Sequence, residues 1–303
     1  MKRVLVIGGY GNFGSFISRS LAGQDNIRLV IAGRSLTKAQ SLASDLNAES
    51  VQLDIHCNLD SKLNEIKPKI VIHTSGPFQS QSYEVAEACI RCRAHYIDLA
   101  DGREFVSGID ILSEKAKQAN VLIVSGASSV PCLTAALVDY YIEQFKSLET
   151  LEYGITTAQK TTRGLATTAA ILSYTGKSFK TLIRGRTENI YGWQSLQKQK
   201  FRNLGNRLLG NCNIPDLDLF PKRYPQLKTI RFYAGLELPF IHLTLWGLSW
   251  LVRFGLVKSL EPTAPILLKL SFLFDWLGSA NSGFLWICQA KTTREAINRS
   301  VLN

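Results

Sequence analysis

Through the first 130 residues, solid apolar runs alternate with stretches of helical periodicity. The runs are 4–7, 27–32, 51–55, 70–74, 96–99 and 121–125. Between them, apolar residues recur at helical spacing over 13–22, 36–46, 83–92 and 104–118, and 58–66 is a short helix candidate. Strands that are apolar throughout, each followed by a helix, predict a parallel sheet covered on both faces. After Pro131 the pattern changes. Residues 132–145 read as one helix, with Leu133, Ala136, Leu137, Tyr140 and Tyr141 on one stripe. Strands are predicted at 150–157, 181–191 and 229–233, and a helix at 166–174. The expected fold class is α/β: a Rossmann-type parallel sheet over residues 1–130, then a second α+β domain over 131–303 with apolar helices near 238–278.

The first strand runs directly into Gly8-Gly9-Tyr10-Gly11-Asn12-Phe13-Gly14, and a helical pattern follows from Ser15. Gly9, Gly11 and Gly14 carry the spacing of a dinucleotide fingerprint, and Gly8 with Gly11 and Gly14 also fits a variant of it. One glycine permits the tight turn, the next lets backbone approach a pyrophosphate, and the last lets helix pack on strand. The helix start then offers unpaired N–H groups and the positive end of a dipole.

The end of the second strand decides which dinucleotide. An Asp or Glu there bonds the ribose 2′-OH of NAD. Here the position holds Arg34, followed by Ser35 and, one turn on, Lys38. A guanidinium pairs with a 2′-phosphate where a carboxylate would repel it, so the expected cofactor is NADP(H). Asp54, at the end of the third run, is a candidate acceptor for the adenine amine or a loop cap.

Ligands of such sheets bind beyond the carboxyl ends of the strands. Those ends carry Thr74-Ser75-Gly76-Pro77-Phe78, then Asp98-Leu99-Ala100-Asp101-Gly102-Arg103, then Ser125-Gly126 through Val130-Pro131. Gly76 and Gly126 would allow backbone to approach the nicotinamide and its ribose. Asp98 and Asp101 are candidates for acid/base work or for capping the next helix.

Gly8–Gly14, Gly76-Pro77-Phe78, Tyr83-Glu84-Val85-Ala86-Glu87-Ala88-Cys89, His95-Tyr96-Ile97-Asp98-Leu99-Ala100-Asp101 and Val124-Ser125-Gly126 through Val130-Pro131 together resemble the saccharopine dehydrogenase-like NADP-binding family. The resemblance covers residues 1–145. It implies a Rossmann domain, NADP as cofactor and oxidoreductase activity on a small-molecule substrate. Many members read Gly-Glu where this chain has Asp101-Gly102, which argues against saccharopine itself as the substrate. In the second half the likeness is looser. Thr162-Arg163-Gly164 sits where members often carry an Arg-Gly pair facing the cofactor, so Arg163 is a candidate to hold a substrate carboxylate and, with Asp101, one of two candidate catalytic residues. Gly235-Leu236-Glu237-Leu238 and the Trp-rich tail are similar to bacterial members of unassigned activity, several of which continue further.

Charge separates the halves. Residues 1–150 hold 15 Lys/Arg against 16 Asp/Glu, and residues 151–303 hold 20 against 8. A basic second half suggests an anionic partner, such as an amphipathic substrate or a lipid surface, or is simply a solvated face. No nucleic-acid recognition motif accompanies the charge, so nucleic acid is not expected. Residues 238–252 carry no formal charge, and 266–277 place Leu267, Leu270, Phe274 and Leu277 on one side. Two readings stand for this region: buried helices or a homodimer interface, and a patch peripheral to a membrane surface.

The first strand begins near residue 3, which leaves no room for a signal peptide. The cytoplasm is the default compartment, with the inner face of the membrane as the variant. Six cysteines are scattered, and Cys89-x-x-Cys92 has no second pair to complete a metal site. No Tyr-x-x-x-Lys motif and no metal spacing among the four histidines marks an active centre. The alternative to an enzyme is therefore a non-catalytic NADP(H)-binding sensor or interaction protein.

Overall fold

The computed structural model describes residues 1–143, 147–291 and 299–301, with side chains to residue 285. The chain divides into two units, Met1–Leu133 and Thr134–Asn303.

The first unit runs β1 (Lys2–Ile7), α1 (Asn12–Leu21), β2 (Ile27–Gly33), α2 (Leu36–Asp45), β3 (Glu49–Gln52), α3 (Leu59–Ile66), β4 (Ile70–His73), α4 (Glu84–Arg91), β5 (His95–Asp98), α5 (Arg103–Gly108), α6 (Ser113–Ala119) and β6 (Ile123–Val124). Its six strands are all parallel, in the order β3-β2-β1-β4-β5-β6. That is the doubly wound order, in which the chain winds one way from β1 and then the other way from β4. Both faces are dry. Leu5, Ile7, Val30 and Val71 pack under Leu63 of α3 and Val85 and Cys89 of α4. Val6, Leu29 and Ile31 pack under Ala39, Leu42 and Ala43 of α2. A strand buried on both faces needs apolar residues at every position, which is why the runs in the sequence are solid.

Three expectations shift here. The predicted 104–118 helix is two helices joined by a 3-10 turn at Ile109–Leu112. A side chain at Gly108 would stand 2.8 Å from the Tyr83 hydroxyl, so close packing holds the break. The strand expected at 51–55 ends at Gln52, because Asp54 folds the chain back with its carboxylate accepting the His56 N–H at 3.1 Å. The helix expected over 132–145 starts at Thr134 and runs to Ile142, after a distorted turn at Ser129–Leu133 that contains Pro131; residues 144–146 lie outside the described ones.

The second unit runs α7 (Thr134–Ile142), β7 (Ser147–Thr157), α8 (Leu165–Tyr174), β8 (Ser178–Ile183), β9 (Arg186–Tyr191), β10 (Gln197–Phe201), β11 (Gly205–Asn211), α9 (Asp216–Arg223), β12 (Thr229–Leu236), α10 (Pro239–Arg253), α11 (Ala264–Phe272), β13 (Gly283–Lys291) and β14 (Arg299–Val301). Six strands form a mixed sheet ordered β10-β11-β12-β7-β13-β14, in which only the β7–β12 pair is parallel. The single strand predicted over 181–191 is a hairpin, β8–β9, turning at Arg184-Gly185 with both residues at positive φ. The core of this unit gathers Leu172, Trp193, Leu245, Val252 and Leu260, with Tyr153 stacked near Phe220 and Phe232.

Candidate functional site

The site is a row of loops at the carboxyl edge of the parallel sheet. The first loop leaves β1 at Gly8. Its backbone folds tightly: Gly8 N and Gly9 N both donate to Ala32 O, at 2.8 and 3.1 Å, and Gly11 N donates to Gly8 O at 2.8 Å. Ser18, fully buried on α1, closes the turn by donating to Gly9 O at 3.1 Å. Two glycines are demanded by space. Gly8 has φ of +76°, and a Cβ there would meet Ser75 Oγ at 2.6 Å. A Cβ on Gly14 would meet Gly8 O at 2.1 Å, so α1 lies too close to the loop for any side chain. Gly11 differs. It is exposed, and its Cβ would meet nothing nearer than Gly8 O at 3.0 Å. Space demands a glycine less at that position than at Gly8 or Gly14. No side chain caps the start of α1, and its first turn carries no acid. Such a helix start favours a phosphate. Asn12 and the exposed Phe13 form its first residues.

The second loop, after β2, is tied to the first through Tyr10. The phenol lies on Gly33, where a Cβ would come within 2.5 Å of its ring, and its oxygen accepts the Ser35 N–H at 2.8 Å. Ser35 in turn caps α2, accepting from Lys38 N at 3.4 Å. Gln52 donates to Arg34 O at 3.0 Å and steadies the same bend. Arg34 and Lys38 are exposed, and neither forms an ion pair among the described residues. Their charge is therefore available to an anion. Asp54 lies in the turn beyond β3 and spends one carboxylate oxygen on the His56 N–H of its own loop.

After β4 the chain passes Thr74 and Ser75 and turns into Gly76-Pro77. Thr74 donates to Ile7 O at 2.9 Å, which holds the β1 and β4 loops together at the point where winding reverses. Gln81, which the sequence reading missed, staples this loop by donating to Ser75 O at 2.5 Å and Pro77 O at 3.1 Å. Gly76 is exposed and Pro77 partly so, but Phe78 is buried, packed edge-on against His73 at 5.1 Å and tilted against Phe105 at 5.4 Å. Phe78 thus anchors the loop in the core rather than offering its ring to a ligand.

Asp98 and Asp101 separate. Asp98 is fully buried, and one of its oxygens accepts from Ala100 N at 2.9 Å, Gly126 N at 2.8 Å and Ser125 Oγ at 3.0 Å. Burial raises its pKa, and these bonds pull it back. Neither aspartate caps α5, whose start at Gly102 has no side-chain cap. Asp98 is instead the knot between the β5 and β6 loops. Gly126, at φ of +77°, is part of that knot, and a Cβ there would stand 2.6 Å from the Pro131 ring. Asp101 is exposed at the rim. Its carboxylate accepts from Gln79 Nε2 at 3.1 Å, and the surrounding protein raises its pKa by desolvation. Nearby, His73 is buried and neutral, its pKa pulled down to about 4 by desolvation, with Nδ1 3.1 Å from the Tyr96 hydroxyl.

Arg163 belongs to the second unit. It pairs with Asp275, and its guanidinium lies 4.6 Å from the centre of the Phe272 ring. The Cys89 and Cys92 thiols are free, with Cys89 buried and Cys92 donating to Cys89 O at 3.5 Å on α4.

A parallel sheet in this strand order, with glycines crowding the β1–α1 turn and cations past β2, defines a dinucleotide-binding unit. Residues 4–124 match the family model of the saccharopine dehydrogenase NADP binding domain. Among solved structures, the chain is similar to saccharopine dehydrogenase (L-Glu forming) from Saccharomyces cerevisiae, at 16% identity and a TM-score of 0.60. That likeness, which concerns the fold, covers 78% of this chain and 55% of the yeast enzyme. Among curated proteins it is similar to a glutamyl-tRNA reductase from Methanosarcina mazei, 29% identical over 114 residues, spanning 36% of this chain and 24% of that protein.

Proposed function

We propose that this protein is an NADP(H)-dependent oxidoreductase acting on a small molecule other than saccharopine. One observation carries the choice of cofactor. The bend after β2 presents Arg34 and Lys38 without a carboxylate partner, beside a glycine edge with room for backbone to meet phosphate. In this reading the start of α1, with Gly8, Gly9, Gly11, Asn12, Phe13 and Gly14, holds the pyrophosphate. Tyr10 and Ser35 shape the floor on which Arg34 and Lys38 meet the 2′-phosphate. The cofactor supplies the hydride. Ser75, Gly76 and Pro77 line its path, while Phe78, Gly126 and Asp98 hold the loops in position. Asp101 is the acid/base candidate, since it sits at the rim with a desolvated carboxyl. Arg163 is the candidate for a substrate carboxylate, after exchange with Asp275.

The test is a fluorescence titration of NADPH and NADH against the wild type and Arg34→Ala. The expected result is tighter binding of NADPH than of NADH, with the preference lost in the variant. Failure of both nucleotides to bind would overturn the reading. A second reading, an NADP(H)-binding sensor without turnover, is favoured by one feature: Asp98, Asp101 and Arg163 all have internal partners. NADPH binding with no oxidation of it across a panel of imines, amino acids and enoyl compounds would select that reading.

A further inference from the structure

Helix α10 is apolar on its outward side as well as on its buried one. Its buried positions are His242, Leu245, Ser249 and Val252, and its outward positions are Pro239, Phe240, Leu243, Thr244, Gly247, Leu251, Arg253 and, just past the helix, Phe254. Most of the outward side is therefore uncharged and carries three large apolar side chains within the helix, against the ordinary rule for a helix at the surface. The loop after it exposes Leu256, at 73%, and Val257. Helix α11 and the turn that follows expose Ile266, Leu270, Phe272, Leu273, Trp276, at 76%, and Leu277. The two stretches meet where Phe240 packs edge-on against Phe274 at 5.0 Å. Twelve of the 22 exposed large apolar residues described in the chain fall within residues 240–277. A cluster of that size calls for an occupant.

Charge says which. The exposed ionised side chains of this stretch are Arg253, Lys258, Lys269 and a single acid, Glu261, because Asp275 is held by Arg163. None of the three cations forms an ion pair among the described residues. The unit that carries them, residues 134–303, holds 21 Lys/Arg against 11 Asp/Glu. A second copy of the same surface would set cation against cation, whereas an anionic bilayer meets apolar groups with its acyl region and cations with its phosphates. Arg253 also borders a cleft of about 330 Å³ lined by Tyr191, Gln194 and Trp250. Its guanidinium donates to Gln194 Oε1 and lies 4.0 Å from the Tyr191 ring centre and 4.8 Å from that of Trp250, whose Nε1 is buried without a hydrogen-bond partner. Trp250 stacks on the exposed Phe254, so the cleft opens beside the apolar stripe. No helix among the described residues is long and apolar enough to cross a membrane.

We infer that the α10–α11 face docks the protein on the surface of an anionic lipid bilayer, with Phe254, Leu256, Leu273 and Trp276 in the acyl boundary and Arg253, Lys258 and Lys269 on headgroup phosphates. The test is co-sedimentation of the full chain with vesicles of phosphatidylcholine alone and of phosphatidylcholine mixed with phosphatidylglycerol. The expected result is binding to the mixed vesicles that salt weakens, little binding to the neutral ones, and a blue shift of tryptophan emission that Trp276→Phe reduces. Phe254→Ser with Leu256→Ser, Leu273→Ser and Trp276→Ser removes exposed groups only and abolishes sedimentation. Arg253→Gln, Lys258→Gln and Lys269→Gln each weaken it roughly fivefold. Circular dichroism confirms that each variant is folded. No sedimentation with either vesicle, or sedimentation that the serine variant retains, overturns the inference. So does a dimer in solution that the serine variant converts to monomer while vesicles bind neither form; the face then belongs to a second copy of this chain.

Discussion

Two helices of this protein use apolar residues in different ways. Along α4 the inward side holds Val85, Ala86, Ala88 and Cys89, which join the core under the sheet, and the outward side holds the charged Glu84 and Arg91. Along α10 the inward side mixes His242 and Ser249 with Leu245 and Val252, and the outward side still holds Phe240, Leu243, Leu251 and, just past the helix, Phe254. The same unit also buries Asp216, which accepts from Thr134 at 2.5 Å and from Tyr153 in the core. For α4 the sheet is the partner, so hydrophobicity and burial coincide. For α10 they part, and an outward apolar face points to a partner that the chain does not contain.

The largest effect expected from breaking that contrast is at Gly14. A Cβ 2.1 Å from a backbone carbonyl cannot be relieved by turning a side chain. Gly14→Ala is expected to destabilise the first unit by about 3 kcal/mol or more, beyond the usual range for overpacking, as thermal unfolding would register. Next comes Asp216. Burial raises its pKa from 3.8 to about 6, so the folded state holds a proton that the unfolded chain has already released. That preference stabilises the fold fully below pH 3.8, and the stabilisation is lost as pH rises towards 6 and beyond. Asp216→Asn keeps an acceptor for Thr134 and Tyr153 without the charge. It is expected to be more stable than wild type by about 2–3 kcal/mol at pH 8 and nearly equal to it at pH 4. His242, whose pKa is pulled down to about 4, works in the other direction in both proteins, so the difference between their unfolding curves isolates Asp216.

On the proposed reading of the site, Arg34→Ala is expected to leave the fold intact and to remove about 1.5–3 kcal/mol of charge-assisted bonding to the 2′-phosphate. That is roughly a ten- to hundredfold loss of NADPH affinity, with NADH affinity unchanged; titration reads it directly. The smallest effect on stability, below about 1 kcal/mol, is expected at Gly11→Ala, whose Cβ has only Gly8 O near it, at 3.0 Å. It should nevertheless lower NADPH affinity about tenfold by filling the space through which phosphate approaches. Equal losses of stability at Gly11 and Gly14 would contradict the division of labour between the two glycines.

The boundaries that sequence missed are instructive. Strands β10, β11 and β13 and helix α9 were not anticipated. Gln197-Lys198-Gln199-Lys200 reads as solvated chain, and only its pairing with β11 makes it a strand. The glycine at 205, which takes a positive φ where β11 begins, was a usable signal, as was Arg184-Gly185 in the β8–β9 turn. Asp98 was read as a helix cap or acid/base group, because a sequence shows that Asp precedes a helix but not that Gly126 and Ser125 come back to meet it. Phe78 sits beside Gly76 in sequence yet faces the core, and Gln81 and Gln52 hold two site loops without any motif to announce them.

Sequence alone determined the parallel sheet, its glycine turn and the cation past the second strand. These depend on local needs, since a strand buried on both faces must be apolar throughout and a helix packed against a turn excludes Cβ. Tertiary structure decided which of the strand-end residues stay exposed, that Asp98 is tied inward, and that the apolar stripe of α10 faces out. Burial is a property of what packs against a residue, and the residue's own hydrophobicity does not say which face its neighbours will cover.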